Sequence, residues 1–230
     1  MSICALLLDL DGTLADTAPD LGGALNEIRA QRGYPALAAE VIRPVASNGA
    51  RGLLKVGFDL APEHPDYEDL REALLAAYIQ RIAQKTRLFD GMAKLLKQLQ
   101  DRDVVWGVVT NKPAWLTDPL MEALAVNPAA ACIVSGDTVS RSKPHPEPLL
   151  HAATIIGCQP QECIYVGDAP RDIQAAQAAG MVPLAAAWGY LPPAPPIEGW
   201  GAMEVIPDPA ALSDWLLARL ADHDKTMSAS

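Results

Sequence analysis

The stretch Ile3-Cys4-Ala5-Leu6-Leu7-Leu8-Asp9-Leu10-Asp11-Gly12-Thr13 decides the fold. It is apolar without interruption from Ile3 to Leu8, then turns abruptly to carboxylates and a glycine. A strand with one wet face alternates apolar and polar residues, whereas a strand covered on both faces is apolar throughout. The setting it predicts is a parallel sheet sandwiched by helices, with Asp9 at the carboxyl end of the first strand.

The same pattern recurs outward along the chain. Apolar runs at Val104 to Val109, Ala131 to Val134, Ile164 to Val166, Val182 to Ala187 and Met203 to Ile206 read as further buried strands. Helically spaced stretches lie between most of them, at Met92 to Leu99, Leu116 to Leu124, Leu149 to Ile156 and Ile173 to Ala179, the last two followed by the C-cap glycines Gly157 and Gly180. This alternation predicts an α/β fold, a doubly wound (Rossmann-like) parallel sheet of strand order 3-2-1-4-5. One segment breaks the rhythm. From Thr17 to Thr86 there is no strand pattern, only helical ones at Leu21 to Arg32, Arg51 to Val56 and Tyr67 to Gln84. An all-helical insertion of about 70 residues is too long for an ordinary strand-to-helix connection. Residues 16–87 are therefore expected to form a helical cap domain, and residues 1–15 with 88–230 the core domain. The tail after Ala221 is expected to fray.

Bulk properties bound the function. Half of the 230 residues are hydrophobic and a fifth charged, enough for a sizeable core. A formal charge of −10 argues against DNA, RNA or an anionic membrane as partner, each of which needs a basic face. It leaves room for a small phosphorylated metabolite, since local cations can override the global field. The N-terminus has no basic segment and reaches Asp9 too early for a signal peptide, and no apolar run approaches the roughly 20 residues of a membrane span. The four cysteines, Cys4, Cys132, Cys158 and Cys163, form no CxxC pair and read as reduced thiols of a cytoplasmic protein. A monomer or homodimer is expected.

Polar residues cluster where the strands end. Asp9 and Asp11 close the first strand, Thr110 and Asn111 the second, and Asp168 the fourth, with Asp172 four residues on. In the predicted strand order these ends converge on one crevice, the place where open parallel sheets bind ligands. Gathering so many carboxylates is repulsive without a cation. A hard divalent ion with oxygen ligands, Mg²⁺ being the expected one, offsets that cost and can hold a phosphate oxygen. Gly12 permits a sharp turn and close approach to an anion. Lys143 supplies a point charge for a phosphate or for a nucleophilic carboxylate.

Asp9-Leu10-Asp11-Gly12-Thr13, Thr110-Asn111-Lys112-Pro113, Lys143-Pro144 and Gly167-Asp168-Ala169-Pro170-Arg171-Asp172 resemble the four motifs of the haloacid dehalogenase superfamily, in order and suitably spaced. The helical insertion resembles that superfamily's cap. The resemblance implies Asp9 as nucleophile and Asp11 as general acid and base. It implies Mg²⁺ held by the Asp9 carboxylate, the Asp11 carbonyl and Asp168, with Asp172 supporting the ion's water shell. Thr110 and Asn111 would bind the transferring phosphoryl group and Lys143 would neutralise charge. The acid at position 11 is absent from the dehalogenases that name the superfamily, which points to phosphoryl transfer.

Asp16-Thr17-Ala18-Pro19-Asp20, Asn48-Gly49-Ala50-Arg51 and Ser142 to Pro148 resemble the bacterial phosphoglycolate phosphatases. Ser47 to Arg51, Arg87 to Gly91 and Trp106 to Thr110 also resemble N-acetylmuramic acid 6-phosphate phosphatases. Both substrates pair a phosphate with a carboxylate, so Arg51 is the expected specificity residue and Lys112 a further substrate contact. A β-phosphoglucomutase-like mutase shares the motifs and stays open as an alternative. A receiver module of a signalling pathway is disfavoured by chain length and by the cap.

Overall fold

The computed structural model describes residues 3–228. Its strands are β1 (Ala5–Leu8), β2 (Ala15–Asp16), β3 (Arg87–Leu88), β4 (Val105–Val109), β5 (Cys132–Val134), β6 (Cys163–Gly167), β7 (Val182–Ala186) and β8 (Glu204–Ile206). Its helices are α1 (Ala18–Gln31), α2 (Ala39–Ile42), α3 (Gly49–Phe58), α4 (Tyr67–Ile79), α5 (Met92–Gln100), α6 (Ala114–Leu124), α7 (Glu147–Ile156), α8 (Pro170–Ala179) and α9 (Pro209–Ser228).

Six strands form one parallel sheet in the order β5-β4-β1-β6-β7-β8. This is the expected 3-2-1-4-5 arrangement with a sixth strand added at one edge. β1 is central and fully buried. Its residues alternate between two cores. Leu6 and Leu8 join Leu95, Leu96 and Leu99 of α5 and Leu212 and Leu216 of α9. Ala5 and Leu7 join Leu149 and Ala152 of α7 and Ala175 and Ala176 of α8. Burying both faces explains the uninterrupted apolar run. In the register, Leu8 lies beside Val108 on one side and Val166 on the other. Asp9 therefore leaves the sheet between the ends of β4 and β6.

The helices α1 to α4 fall between β2 and β3, which pair antiparallel as a short ribbon, Ala15 with Leu88 and Asp16 with Arg87. They share a core of their own, including Leu25, Ile28, Leu53, Leu54, Leu74 and Tyr78. The buried Asp20 carboxylate accepts the Lys85 and Thr86 amides and the Thr86 hydroxyl at 2.8–3.1 Å, tying the start of α1 to the chain just before β3.

The last helix runs to Ser228. One expectation needs correction. Cys4 and Cys158 are joined as a disulfide, with Cα atoms 6.0 Å apart, so two of the four thiols expected to be free are not. Cys4 precedes β1 and Cys158 follows α7 on one face of the sheet, a proximity that a separation of 154 residues hides in the sequence. Cys132 and Cys163 are free and buried, and burial pushes both thiols up to about 11. Among the described residues no helix is long and apolar enough to cross a membrane.

Candidate active site

Asp9 extends the sheet by one bond, its amide donating to Val166 O at 3.0 Å. Its carboxylate accepts the Leu10 amide at 2.7 Å and pairs with Lys143 Nζ at 3.0 Å, and both interactions fall on Oδ1. The chain then turns through Gly12, at φ +86°, a conformation natural to glycine. A Cβ there would lie 2.0 Å from Asp168 Oδ2. Gly12 thus serves the close approach of this loop to Asp168. Gly189 does the same from the other side, where a Cβ would lie 2.2 Å from the Asp168 Cβ.

Three carboxylates converge at the end of β1 and β6. Asp9, Asp168 and Asp172 each bring an oxygen within 4.8 Å of the others, and all are buried. Asp172 arrives there because it caps α8, whose first residue is Pro170: its Oδ2 accepts the Ala169 amide at 3.0 Å, three positions earlier. Lys143 is fully enclosed between two of these acids, 3.0 Å from Asp9 and 2.8 Å from Asp172. Its ammonium also donates to Val109 O and to the Tyr165 hydroxyl, at 2.9 and 2.6 Å. Asp168 accepts the Tyr190 amide at 2.7 Å and the Ser47 hydroxyl at 2.9 Å, both on Oδ2. Its Oδ1 is buried without a hydrogen-bond partner among the described residues. Burial first, then the Asp9 and Asp172 charges, push Asp168 up to about 7.

That arrangement fits a hard divalent cation. Carboxylate oxygens are the donors such ions take, and the buried Asp168 Oδ1 otherwise goes unsatisfied. Asp172 spends its two oxygens on Lys143 and on the Ala169 amide, so its direct partner is the lysine. The Asp11 side chain lies outside the cluster. It accepts the Thr17 hydroxyl at 2.5 Å and pairs with Lys112 Nζ at 3.0 and 3.2 Å.

The remaining expected residues divide. Thr110 is buried at the end of β4 and lines the same cavity as Asp9 and Asp11, its hydroxyl accepting the Lys112 amide at 3.2 Å. Asn111 also borders the cavity, but its side-chain amide clasps the Lys143 backbone, donating to Lys143 O at 2.9 Å and accepting Lys143 N–H at 3.0 Å. It positions the lysine loop instead of pointing a free amide at a ligand. Lys112 is buried against Asp11 and beneath Tyr78, whose ring centroid is 4.6 Å from Nζ. Burial pushes the Tyr78 hydroxyl up, while Lys112 acts the other way. Arg51, on α3, is exposed at the cavity and carries no ion pair among the described residues.

Asp16, Ser47, Asn48 and Arg171 stand inside the sequence motifs, but nothing there marked them as the residues that bring the helical insertion onto the core. A 3₁₀ turn, Arg43–Asn48, carries Ser47 to Asp168. Arg171 donates to Ser47 O at 2.6 Å and to Asn48 Oδ1 at 3.1 Å, while Ser47 Oγ reaches Asp168. Arg43 pairs with Asp16 at 2.9 Å, and Asp16 also accepts the Tyr190 hydroxyl at 2.7 Å. Arg171 stood inside the Gly167-to-Asp172 motif and could have been found there. The open cleft between these parts measures about 920 Å³.

Comparison with known proteins agrees with this geometry. The family described as haloacid dehalogenase-like hydrolase matches residues 6–186. The N-acetylmuramic acid 6-phosphate phosphatase of Pseudomonas aeruginosa is 37% identical over 222 residues, 96% of this chain and 98% of that protein. The phosphoglycolate phosphatase of Xanthomonas campestris pv. campestris is 43% identical over 190 residues, covering 81% of this chain and 84% of that one. The crystal structure of a hydrolase from Pseudomonas syringae superposes with a TM-score of 0.70 at 28% identity, covering 93% of this chain and 97% of its own. Its curated relatives across nearly the whole length being phosphatases, the chain is an enzyme that belongs to the haloacid dehalogenase-like hydrolase family.

Proposed function

We propose that this enzyme is a Mg²⁺-dependent phosphomonoesterase that works through a phospho-aspartate on Asp9 and takes a small phosphate ester bearing a carboxylate. The observation that carries the reading is the asymmetric setting of Asp9: Oδ1 is held by Lys143 and the Leu10 amide, and Oδ2 has neither bond. A carboxylate fixed by one oxygen presents the other as a nucleophile. Oδ2 attacks phosphorus, the bond from phosphorus to the alcohol oxygen breaks, and Asp11 gives its proton to that oxygen. Water then attacks phosphorus, Asp11 takes its proton, and phosphate leaves with the Asp9 carboxylate restored. Thr110 lines the phosphoryl side, and Lys143 balances charge on Asp9 throughout. Asp9, Asp168 and the Asp11 carbonyl would hold Mg²⁺, which when bound supplies electrostatic stabilisation of the phosphoryl oxygens. The segment around Ser47 closes over the acids and limits water.

The open cleft, about 920 Å³, has room for the larger of the two substrates. Phosphate release from 2-phosphoglycolate and N-acetylmuramate 6-phosphate, measured side by side with Mg²⁺ and with chelator, tests the reading. Metal-dependent release with a higher kcat/KM for the sugar acid is expected. Release unaffected by chelator refutes the metal requirement, and conversion of a sugar 1-phosphate to its 6-phosphate isomer without free phosphate makes the enzyme a mutase.

Among the described residues Arg51 makes no ion pair, and it lines the cavity, so it is the cation we assign to the substrate carboxylate. Arg51→Ala should raise KM for carboxylate-bearing esters about tenfold more than for phenyl phosphate. An equal rise for both esters removes Arg51 from that role.

A further inference from the structure

Ser47 Oγ donates to Asp168 Oδ2 at 2.9 Å and lies 3.4 Å from Asp11 O. One hydroxyl of the helical insertion thus stands against two of the three groups proposed to hold Mg²⁺. A hydroxyl has one proton to give, and the shorter, charge-assisted contact to Asp168 takes it.

The turn that carries Ser47, Arg43–Asn48, is pinned to the core at both ends. At its start, Arg43 pairs with Asp16 at 2.9 Å and lies over the Tyr190 ring, 4.9 Å from the centroid. Tyr190 acts as a strut. Its hydroxyl donates to Asp16 at 2.7 Å and accepts the Ala18 amide at 2.8 Å, while its own amide donates to Asp168 Oδ2 at 2.7 Å. At the far end of the turn, Arg171 of α8 donates to Ser47 O and to Asn48 Oδ1. Asp168 Oδ2 therefore takes one donor from the core loop after β7 and one from the insertion, and together they fix how the carboxylate is turned. Oδ1, with no hydrogen-bond partner among the described residues, is left for an ion.

We infer that Ser47 is a positioning residue that couples the metal site to the seating of the helical insertion. Its hydroxyl orients Asp168 when the insertion is down, so a bound divalent cation and a seated insertion each favour the other. The inference rests on the metal site of the proposed phosphatase. Partners that orient a ligand carboxylate are worth about 10- to 100-fold in metal affinity, and linkage requires the ion to stabilise the seated turn in return. The metal-loaded enzyme is then the form that closes on its ester.

Ser47→Ala and Ser47→Thr test this in the substrate-free enzyme, by calorimetric titration with Mg²⁺ and by amide hydrogen exchange with and without the ion. Ser47→Ala should bind Mg²⁺ about tenfold more weakly than the wild type. Mg²⁺ should slow exchange in residues 43–48 of the wild type and far less in Ser47→Ala. Ser47→Thr, which keeps the hydroxyl, should restore both. Unchanged or tighter binding by Ser47→Ala, binding by Ser47→Thr as weak as that of Ser47→Ala, or exchange in the wild type indifferent to Mg²⁺ would overturn the inference and leave the metal site standing. A wild type that binds no Mg²⁺ would refute the metal site itself, and this inference with it.

Discussion

Asp9→Asn should keep the fold and lower phosphate release on the order of 10⁴-fold or more, the scale seen when a nucleophile is removed from a concerted site. Asparagine matches aspartate in shape, and its carbonyl can still accept the Leu10 amide that Asp9 accepts at 2.7 Å. What disappears is the second carboxylate oxygen as a nucleophile. Stability should not suffer. Asp9 shares a buried pocket with Asp168 and Asp172, and its charge is among the causes that raise both of their pKa values. Removing one of three crowded negative charges relieves repulsion, and Lys143 keeps Asp172 as a partner at 2.8 Å. The metal-free variant should thus melt at or above the wild-type temperature. Phosphate release and thermal unfolding on one preparation check both halves. Substantial turnover by a well-folded variant would remove Asp9 from the mechanism.

Lys143→Met is expected to damage stability and activity together. The ammonium is fully enclosed and joins Asp9, Asp172, Val109 O and the Tyr165 hydroxyl. Methionine fills much of the volume but leaves two buried carboxylates facing each other without their shared cation. Removing one partner of a buried ion pair costs about 3–5 kcal/mol. The loss of charge beside the nucleophile should lower kcat on the order of 10²–10³-fold, the range for deleting one electrostatic contact to a reacting group. A urea titration reads the first effect and steady-state kinetics the second. An unchanged urea midpoint would show that the acids do not depend on Lys143.

Asp9 was visible in the sequence for a geometric reason, and Lys143 through the resemblance of Lys143-Pro144 to a family motif. Parallel strands buried on both faces leave long apolar runs, and the residue that ends each run is forced to the same edge of the sheet. Asp9, Thr110 and Asp168 could therefore be placed together although β1, β4 and β6 are far apart in the chain. The residues that bring the helical insertion onto that edge carried no such signal. Ser47 lies in a 3₁₀ turn with no periodicity, and Tyr190 follows β7 in a loop; their contacts with Asp168 depend on how two packed units meet. Tyr165 reads as an ordinary strand residue until its hydroxyl is seen against Lys143 and Val109 O. The amide of Asn111 could equally have served a phosphate or the Lys143 backbone, and only the folded loop decides for the backbone. Pairing of Cys4 with Cys158 was hidden for the same reason, since strand and helix ends converge only once the sheet is wound.

Covalent chemistry at Asp9 is tested most directly by mixing the wild-type enzyme with Mg²⁺ and excess N-acetylmuramate 6-phosphate or 2-phosphoglycolate, quenching in acid within one turnover, and weighing the peptide that contains Asp9. A fraction of that peptide heavier by one phosphoryl group, and absent from Asp9→Asn, is the expected result. Phosphate released at the normal rate while the Asp9 peptide stays unmodified at every quench time would contradict it.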